Sequence, residues 1–222
     1  MRRLAVFAKP PVEGEVKTRL SPALPPALAR DLYDAMLDDT LAALAAARCD
    51  ERYVFWAGDP ARAPVALPPG TIERRQDGDD LGARLAAAFD ALLDAPGREA
   101  VIVGADCPDL HAGYLDQTFA ALAAVDLVLG PAADGGYGLI GLRRRAPGLF
   151  EGIDWSTPAV LEQTLARAAA ATLVVATLPA LDDIDTPADL ARWIGARVAG
   201  GRGRAPRTCA VLEKMGLLPA GF

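Results

Sequence analysis

Short apolar runs alternate along this chain with longer stretches in which leucine recurs every three or four residues. Leu4–Ala8, Tyr53–Ala57, Ala100–Val103, Asp126–Leu129, Leu139–Leu142 and Leu173–Leu178 read as strands, being brief and apolar or β-branched. The run at 100–103 has no polar position, the pattern of a central strand covered on both faces. Leu28, Leu32, Met36, Leu41 and Leu44 fall at helical spacing, as do Leu81, Leu85, Phe89 and Leu92. Tyr114–Ala123, Pro158–Ala170 and Thr186–Val198 read as further helices. Thr157-Pro158 and Thr186-Pro187 each place a cap residue before a proline at the first helical position, and Thr186 with Asp189 makes a capping box. Strands alternating with helices predict an α/β fold, with a mostly parallel sheet covered by helices on both faces. Residues 1–199 read as one domain. A flexible linker, Gly200–Pro206, then leads to a short helix near Thr208–Met215 that Gly216 ends, and no chemistry is assigned to this tail.

Composition narrows the function classes. Apolar residues make up 52% of the 222, ample for a packed core, and much of that share is alanine, which favours helices. The net charge of −6 provides no general field for nucleic acid or an anionic membrane, so any phosphate must be held by a few local cations. No run reaches the length of about 18 apolar residues that spans a bilayer, and the stretch after Arg2 and Arg3 stops at Lys9-Pro10-Pro11, too early for a secretory signal. Cys49, Cys107 and Cys209 are isolated and odd in number, which points to a reducing cytoplasm rather than a disulfide framework. The single histidine, His111, has no neighbours for a zinc site or a triad.

Four stretches carry candidate chemistry. The loop after the first strand, AKPPVEGEVKTRL, places Lys9, Lys17 and Arg19 where ligands of open α/β sheets bind, beyond the carboxyl ends of the strands. It lacks the spacing of a P-loop and of the dinucleotide fingerprint. In VIVGADCPDL an apolar strand runs directly into Asp106, with Pro108 breaking the chain behind it. A carboxylate there suits Mg²⁺ or Mn²⁺, which take one or two oxygens from protein and the rest from phosphates and water. Asp109 reads as the cap of the following helix, and Cys107 as a small buried residue. GPAADGGYGLIG holds five glycines in twelve residues, with Asp134 and Tyr137. It reads equally as a tight hairpin or as a ligand site in which the glycines of Gly130–Gly138, Gly135 and Gly136 among them, leave room for a sugar ring while Asp134 and Tyr137 bond its hydroxyls. In DDIDTPADL, Asp183 and Asp185 are spaced to face one side, and either supplies a second metal ligand.

Together, FAKPPVEGEVKTRL, LGARL, GADCPDL, GPAADGGYGLIGL, IDWST and DIDTPADL resemble a family of bacterial glycosyltransferase-A-like proteins, from about Leu4 to Trp193. Members are described as radical-SAM/selenodomain-associated transferases or arsenosugar biosynthesis glycosyltransferases. Similar motifs occur in the molybdenum-cofactor and 2-phospho-lactate guanylyltransferases, which share the fold. The resemblance implies a nucleotide-diphospho-sugar transferase domain, a three-layer α/β/α sandwich. It places Asp106 at the metal, Asp183 or Asp185 beside it, and Lys9, Lys17 and Arg19 over the nucleotide. The expected reaction is glycosyl transfer from a nucleotide sugar to a small acceptor, with Asp134 or Asp154 as base. The alternative joins a nucleoside triphosphate to a phosphorylated small molecule, although the loop departs from the glycine-rich Arg-Met-Gly core of the guanylyltransferases. A non-catalytic nucleotide-binding regulator is the third reading; it would need no cluster of carboxylates. Whether the chain pairs into a homodimer stays open.

Overall fold

The computed structural model describes residues 1–21, 23–200, 204–219 and 221; residues 201–203 of the expected linker lie outside the described residues. The described residues form seven strands in one sheet: β1 (Arg2–Ala8), β2 (Glu51–Trp56), β3 (Thr71–Arg75), β4 (Glu99–Gly104), β5 (Leu127–Pro131), β6 (Tyr137–Leu142) and β7 (Val175–Thr177). Six helices accompany them: α1 (Pro26–Ala46), α2 (Leu81–Leu92), α3 (Ala112–Leu122), α4 (Val160–Ala170), α5 (Pro187–Gly200) and α6 (Pro206–Lys214). The sheet order is β3-β2-β1-β4-β6-β5-β7. Only β6 among these strands runs against the rest, because a short turn joins it to β5 and such a connection forces antiparallel pairing.

Alternation along the central strands sorts the core into two layers. Leu4 and Val6 of β1, with Val101 and Val103 of β4, face α1, α3, α5 and α6. Ala5, Ala100 and Ile102 face α2 and α4 on the other side. The molecule is therefore the expected α/β/α sandwich with a mostly parallel sheet. Phe119, Leu115 and Leu4 are fully shielded, and each such side chain contributes about 2 kcal/mol by leaving water. The outer helix α6 lies against α1. The carboxylate of Asp39 accepts from Arg207 N (3.1 Å), Thr208 N (2.8 Å) and Thr208 Oγ1 (2.8 Å), meeting the first turn of α6 from a neighbouring helix.

Three local expectations are corrected. α4 starts at Val160, not Pro158, and its cap position is Ala159 with no side-chain bond. Thr157 Oγ1 instead donates to Asp154 O (2.7 Å), closing the turn before the helix. Asp109 does not cap α3; His111 Nδ1 does, accepting from Tyr114 N (3.2 Å). Asp109 accepts from Trp193 Nε1 (3.0 Å) and pairs with Arg197, anchoring α5 to the loop after β4. β3 had no counterpart in the sequence pattern, since Thr-Ile-Glu-Arg-Arg is a half-exposed edge strand whose outward residues need not be apolar.

Candidate active site

The chain leaves β1 toward β2 on one side, while β4 pairs with the other side of β1. This reversal opens a crevice between the carboxyl ends of β1 and β4, the position where open α/β sheets bind ligands. A cleft of about 570 Å³ lies there. Lys9, Lys17, Arg19, Asp106, Asp134, Gly136, Tyr137, Asp183 and Asp185 all line it. Residues far apart in sequence are thus brought to one place.

Its charged floor is built around Lys17. The Lys17 ammonium is 2.8 Å from Asp106 Oδ1 and 3.5 Å from Asp185 Oδ1, with its side chain only 3% exposed. Burial by itself disfavours the charge, but Asp106 and then Asp185 outweigh it and leave the lysine above its ordinary pKa. Arg19 Nη1 donates to Asp185 Oδ2 at 2.9 Å and remains largely in solvent. Lys17 has φ 49° and ψ 36°, a left-handed conformation uncommon for a side-chain-bearing residue. Lys9 joins the rim; its backbone N–H donates to Tyr33 Oη at 2.8 Å. The basic residues of the first loop therefore have separate roles, one buried in a carboxylate cluster and two at the edge.

The segment carrying Asp183 and Asp185 is fixed to the loop after β4 by Ile184 N donating to Asp106 O at 3.0 Å. Ile184 itself is fully buried, so its two neighbours turn to the cleft together, as the spacing predicts. Asp183 Oδ1 is buried and has no hydrogen-bond partner. Burial, then the charge of Asp134, pushes its carboxyl up to about 6. A buried carboxylate oxygen without a donor is costly unless a cation meets it. No group of three or more His, Cys, Asp or Glu side chains among the described residues is arranged to hold a metal by itself. The hard oxygens of Asp106, with Asp183 or Asp185, could supply one or two ligands to a Mg²⁺ or Mn²⁺ ion whose remaining ligands come from phosphates and water.

The glycine-rich stretch is a hairpin, with Ala132 N bonded to Gly136 O (3.0 Å) and Gly136 N donating to Asp134 Oδ1 (2.9 Å). Its glycines make room for other parts of the protein. A Cβ on Gly135 (φ 89°) would lie 2.3 Å from Pro158 O, and one on Gly138 would lie 2.5 Å from Cys107 Sγ. The sequence could not separate turn from sugar pocket; these contacts account for both glycines without a sugar. Gly135 is not part of the cleft lining. Tyr137 does line it, but its hydroxyl meets Thr164 Oγ1 at 3.5 Å, and burial pushes its phenol up to about 12. Cys107 is fully shielded and burial pushes its thiol far up, so it is a packing residue and no nucleophile.

Asp154 stands outside the cleft. It is exposed, and Gln163 Nε2 donates to its Oδ2 at 2.8 Å. The cleft also contains residues to which sequence reasoning gave no part in the site: Gln76, Arg84, Leu81, Trp155, Ser156 and Thr157. Arg84 and Leu81 lie in LGARL, and Trp155 to Thr157 in IDWST, so the motifs marked the right stretches without assigning the side chains. Trp155 is seated on α2, where a Cβ on Gly82 would be 2.7 Å from its Nε1.

A family model described as an uncharacterized protein conserved in bacteria (DUF2064) matches residues 40–157. The chain is 30% identical over 195 residues to a phosphoenolpyruvate guanylyltransferase of Sphaerobacter thermophilus, covering 86% of this chain and 94% of that one. A crystal structure from Desulfovibrio desulfuricans G20, provisionally described as a nucleotide-diphospho-sugar transferase, is similar at TM-score 0.87 and 30% identity, covering 97% of this chain and 95% of the other. CMP:2-keto-3-deoxy-manno-octonic acid synthetase with CTP shares the fold at TM-score 0.55 and 15% identity, over 89% and 98% of the two chains. The chain belongs to the DUF2064 family.

Proposed function

Taking this family membership as the premise, we propose that the protein is a nucleotidyltransferase. It joins a nucleoside triphosphate to a phosphorylated small molecule and releases pyrophosphate. The observation that carries the reading is the cluster of Lys17, Asp106 and Asp185, with Arg19 and Asp183, whose buried Oδ1 has no donor, at the carboxyl ends of β1 and β4. The guanylyltransferase relative, matched over nearly its whole length, supports the same direction.

In this reading an oxygen of the acceptor's phosphate attacks the α-phosphorus. A new P–O bond forms, the bond to the β-phosphate breaks, and pyrophosphate takes the electron pair. Asp106, with Asp183 or Asp185, holds Mg²⁺ or Mn²⁺. That ion supplies neutralisation of the phosphate oxygens as their charge redistributes. Lys17 and Arg19 stabilise charge at the α-phosphate, and Lys9 meets the outer phosphates. Gln76 and Arg84, on the β3 side of the cleft, contact the remainder of the substrates. No covalent enzyme intermediate is needed, in keeping with the buried Cys107.

Glycosyl transfer from a nucleotide sugar is the second reading, favoured by the description of the Desulfovibrio structure and by Asp134 at the cleft as a base. It keeps Gly136, which lines the cleft, but loses Gly135 and Gly138 as room for a sugar, since a Cβ on either would meet the protein's own atoms. Product analysis separates the two. Purified protein with Mn²⁺, the four nucleoside triphosphates and phosphorylated acceptors, phosphoenolpyruvate among them, should release pyrophosphate. Nucleoside diphosphate from a nucleotide sugar, with no reaction on any triphosphate, would overturn the proposal.

A further inference from the structure

The Lys17 side chain is among the most enclosed charges in the protein, yet it sits in the cleft and not in the core beneath it. Its ammonium lies within ion-pair distance of both Asp106 and Asp185, at 2.8 and 3.5 Å. The carboxylates expected to bind a metal ion therefore already share a cation. The backbone at Lys17 lies in the left-handed region, which costs a side-chain-bearing residue free energy and is kept only where surrounding contacts enforce it. Arg19, two residues on, holds the second oxygen of Asp185. Asp183 Oδ1, one residue before the buried Ile184, is left without a donor. Two carboxylates thus share the lysine, and a third lines the same cleft with an oxygen that no donor meets.

We propose that the Lys17 ammonium is a built-in stand-in for the divalent cation: it holds Asp106 and Asp185 while no metal is bound, and a metal–nucleotide complex displaces it. This rests on the nucleotidyltransferase reading of the site and names how that site is regulated. A cation that enters alone must break the Lys17 pairs and leave a buried ammonium without a partner, which is unfavourable. A cation that enters with a triphosphate gives the displaced ammonium a new anion. The metal and the nucleotide therefore bind strongly together and weakly apart, which suppresses occupation of the site by a bare metal ion. The coupling is reciprocal, because each ligand changes the other's affinity by the same factor.

The test is direct Mn²⁺ binding, followed by electron paramagnetic resonance of the free ion, without nucleotide. Lys17→Met keeps most of the length of the side chain and removes its charge. The expected result is at least about a tenfold gain in Mn²⁺ affinity over the parent, with loss of most of the further gain that a nucleoside triphosphate gives the parent. Unchanged or weaker Mn²⁺ binding by a folded Lys17→Met protein would overturn the proposal, as would no Mn²⁺ binding by either protein. If the variant does not fold, the parent decides. Lys9, Lys17 and Lys214 are its only lysines, so acetylation can be assigned by mass spectrometry. Lys17 should be protected in chelator, reactive with saturating Mn²⁺, and protected again with Mn²⁺ and triphosphate; protection that does not change with Mn²⁺ would refute displacement. Both measurements are made without turnover. A failed product assay combined with a gain in Mn²⁺ affinity would sink the assigned reaction and leave the stand-in role intact.

Discussion

Asp126 and Asp183 are both drawn into the protein beside the sheet, at opposite edges. Asp126 stands at the amino end of β5 and is 4% exposed. Its Oδ1 accepts from Arg143 Nε (2.8 Å) and Arg144 Nε (3.0 Å), and its Oδ2 from Val174 N (3.0 Å). Arg144, then the Val174 amide, hold its carboxyl well below the usual range, against the opposing effect of burial. Asp183 stands at the carboxyl edge, has a buried oxygen with no donor, and is shifted the other way. One carboxylate is fully answered by the protein and serves the fold. The other keeps one oxygen without a donor at the cleft, where the proposed metal and nucleotide would enter. Burial alone does not distinguish a structural acid from a functional one; the state of its hydrogen bonds does.

The largest effect should come from Asp106→Asn. Replacing this carboxylate should lower turnover at least about 100-fold, because the cation that would neutralise the phosphates loses a charged ligand. The melting temperature should stay within a few degrees of the parent, since Asp106 is about half exposed, Asp185 still pairs with Lys17 and the new amide oxygen can accept from it. Pyrophosphate release and circular dichroism melts measure the two. A variant that loses its fold along with its activity would place Asp106 with Asp126 instead of opposite it.

Asp126→Asn should show the reverse profile. Losing charge-assisted bonds should cost about 2 kcal/mol, tempered because both arginines are partly in solvent. Urea denaturation should read that loss, with the kinetics of the folded protein unchanged. The pH dependence has a definite sign. The folded pKa is depressed, so the stabilisation is present above the ordinary value of 3.8 and drains as pH falls through the lower folded value. The gap between parent and variant should therefore be constant near neutrality and narrow in acid. A gap that widens in acid would contradict the assignment.

The smallest effect, with the opposite sign, belongs to Asp183→Asn in metal-free buffer. Here the folded pKa lies above the unfolded one, so the parent loses stability as pH rises from 3.8 through about 6. Because the group is only half-buried and solvent screens its charge, removing that charge should stabilise the fold at pH 7 by no more than about 1 kcal/mol, a few degrees at most in melting temperature, and do little below pH 4. Metal-supported nucleotide binding should fall at the same time. Destabilisation at pH 7 would show that Asp183 is satisfied by the protein, and the comparison with Asp126 would collapse.

Local pattern was enough for what neighbouring residues decide. Apolar runs marked six of the seven strands among the described residues, helical stripes marked α1 and α2, and Thr-Pro openings pointed to α4 and α5. Thr186 and Asp189 announced their capping box, seen in Thr186 N donating to Asp189 Oδ2 at 2.8 Å and Asp189 N to Thr186 Oγ1 at 3.3 Å. Asp106, between an apolar strand and a proline, was legible because a strand end in a parallel sheet is a predictable place. Tertiary structure decided the rest, because the deciding partners are remote in sequence. Lys17 meets Asp185 across 168 positions, which turns a basic loop residue into the centre of an acidic cluster. Gly135 answers to Pro158 and Gly138 to Cys107, so glycines that suggested an open pocket fill close approaches between segments. β3 left no apolar signature because an edge strand is held by backbone pairing to β2, and Asp154, acidic and near the motifs, was turned away from the cleft to Gln163. Periodicity records which side of an element is buried; it does not record which two buried or charged groups will share one ion, and that is settled only when the chain closes.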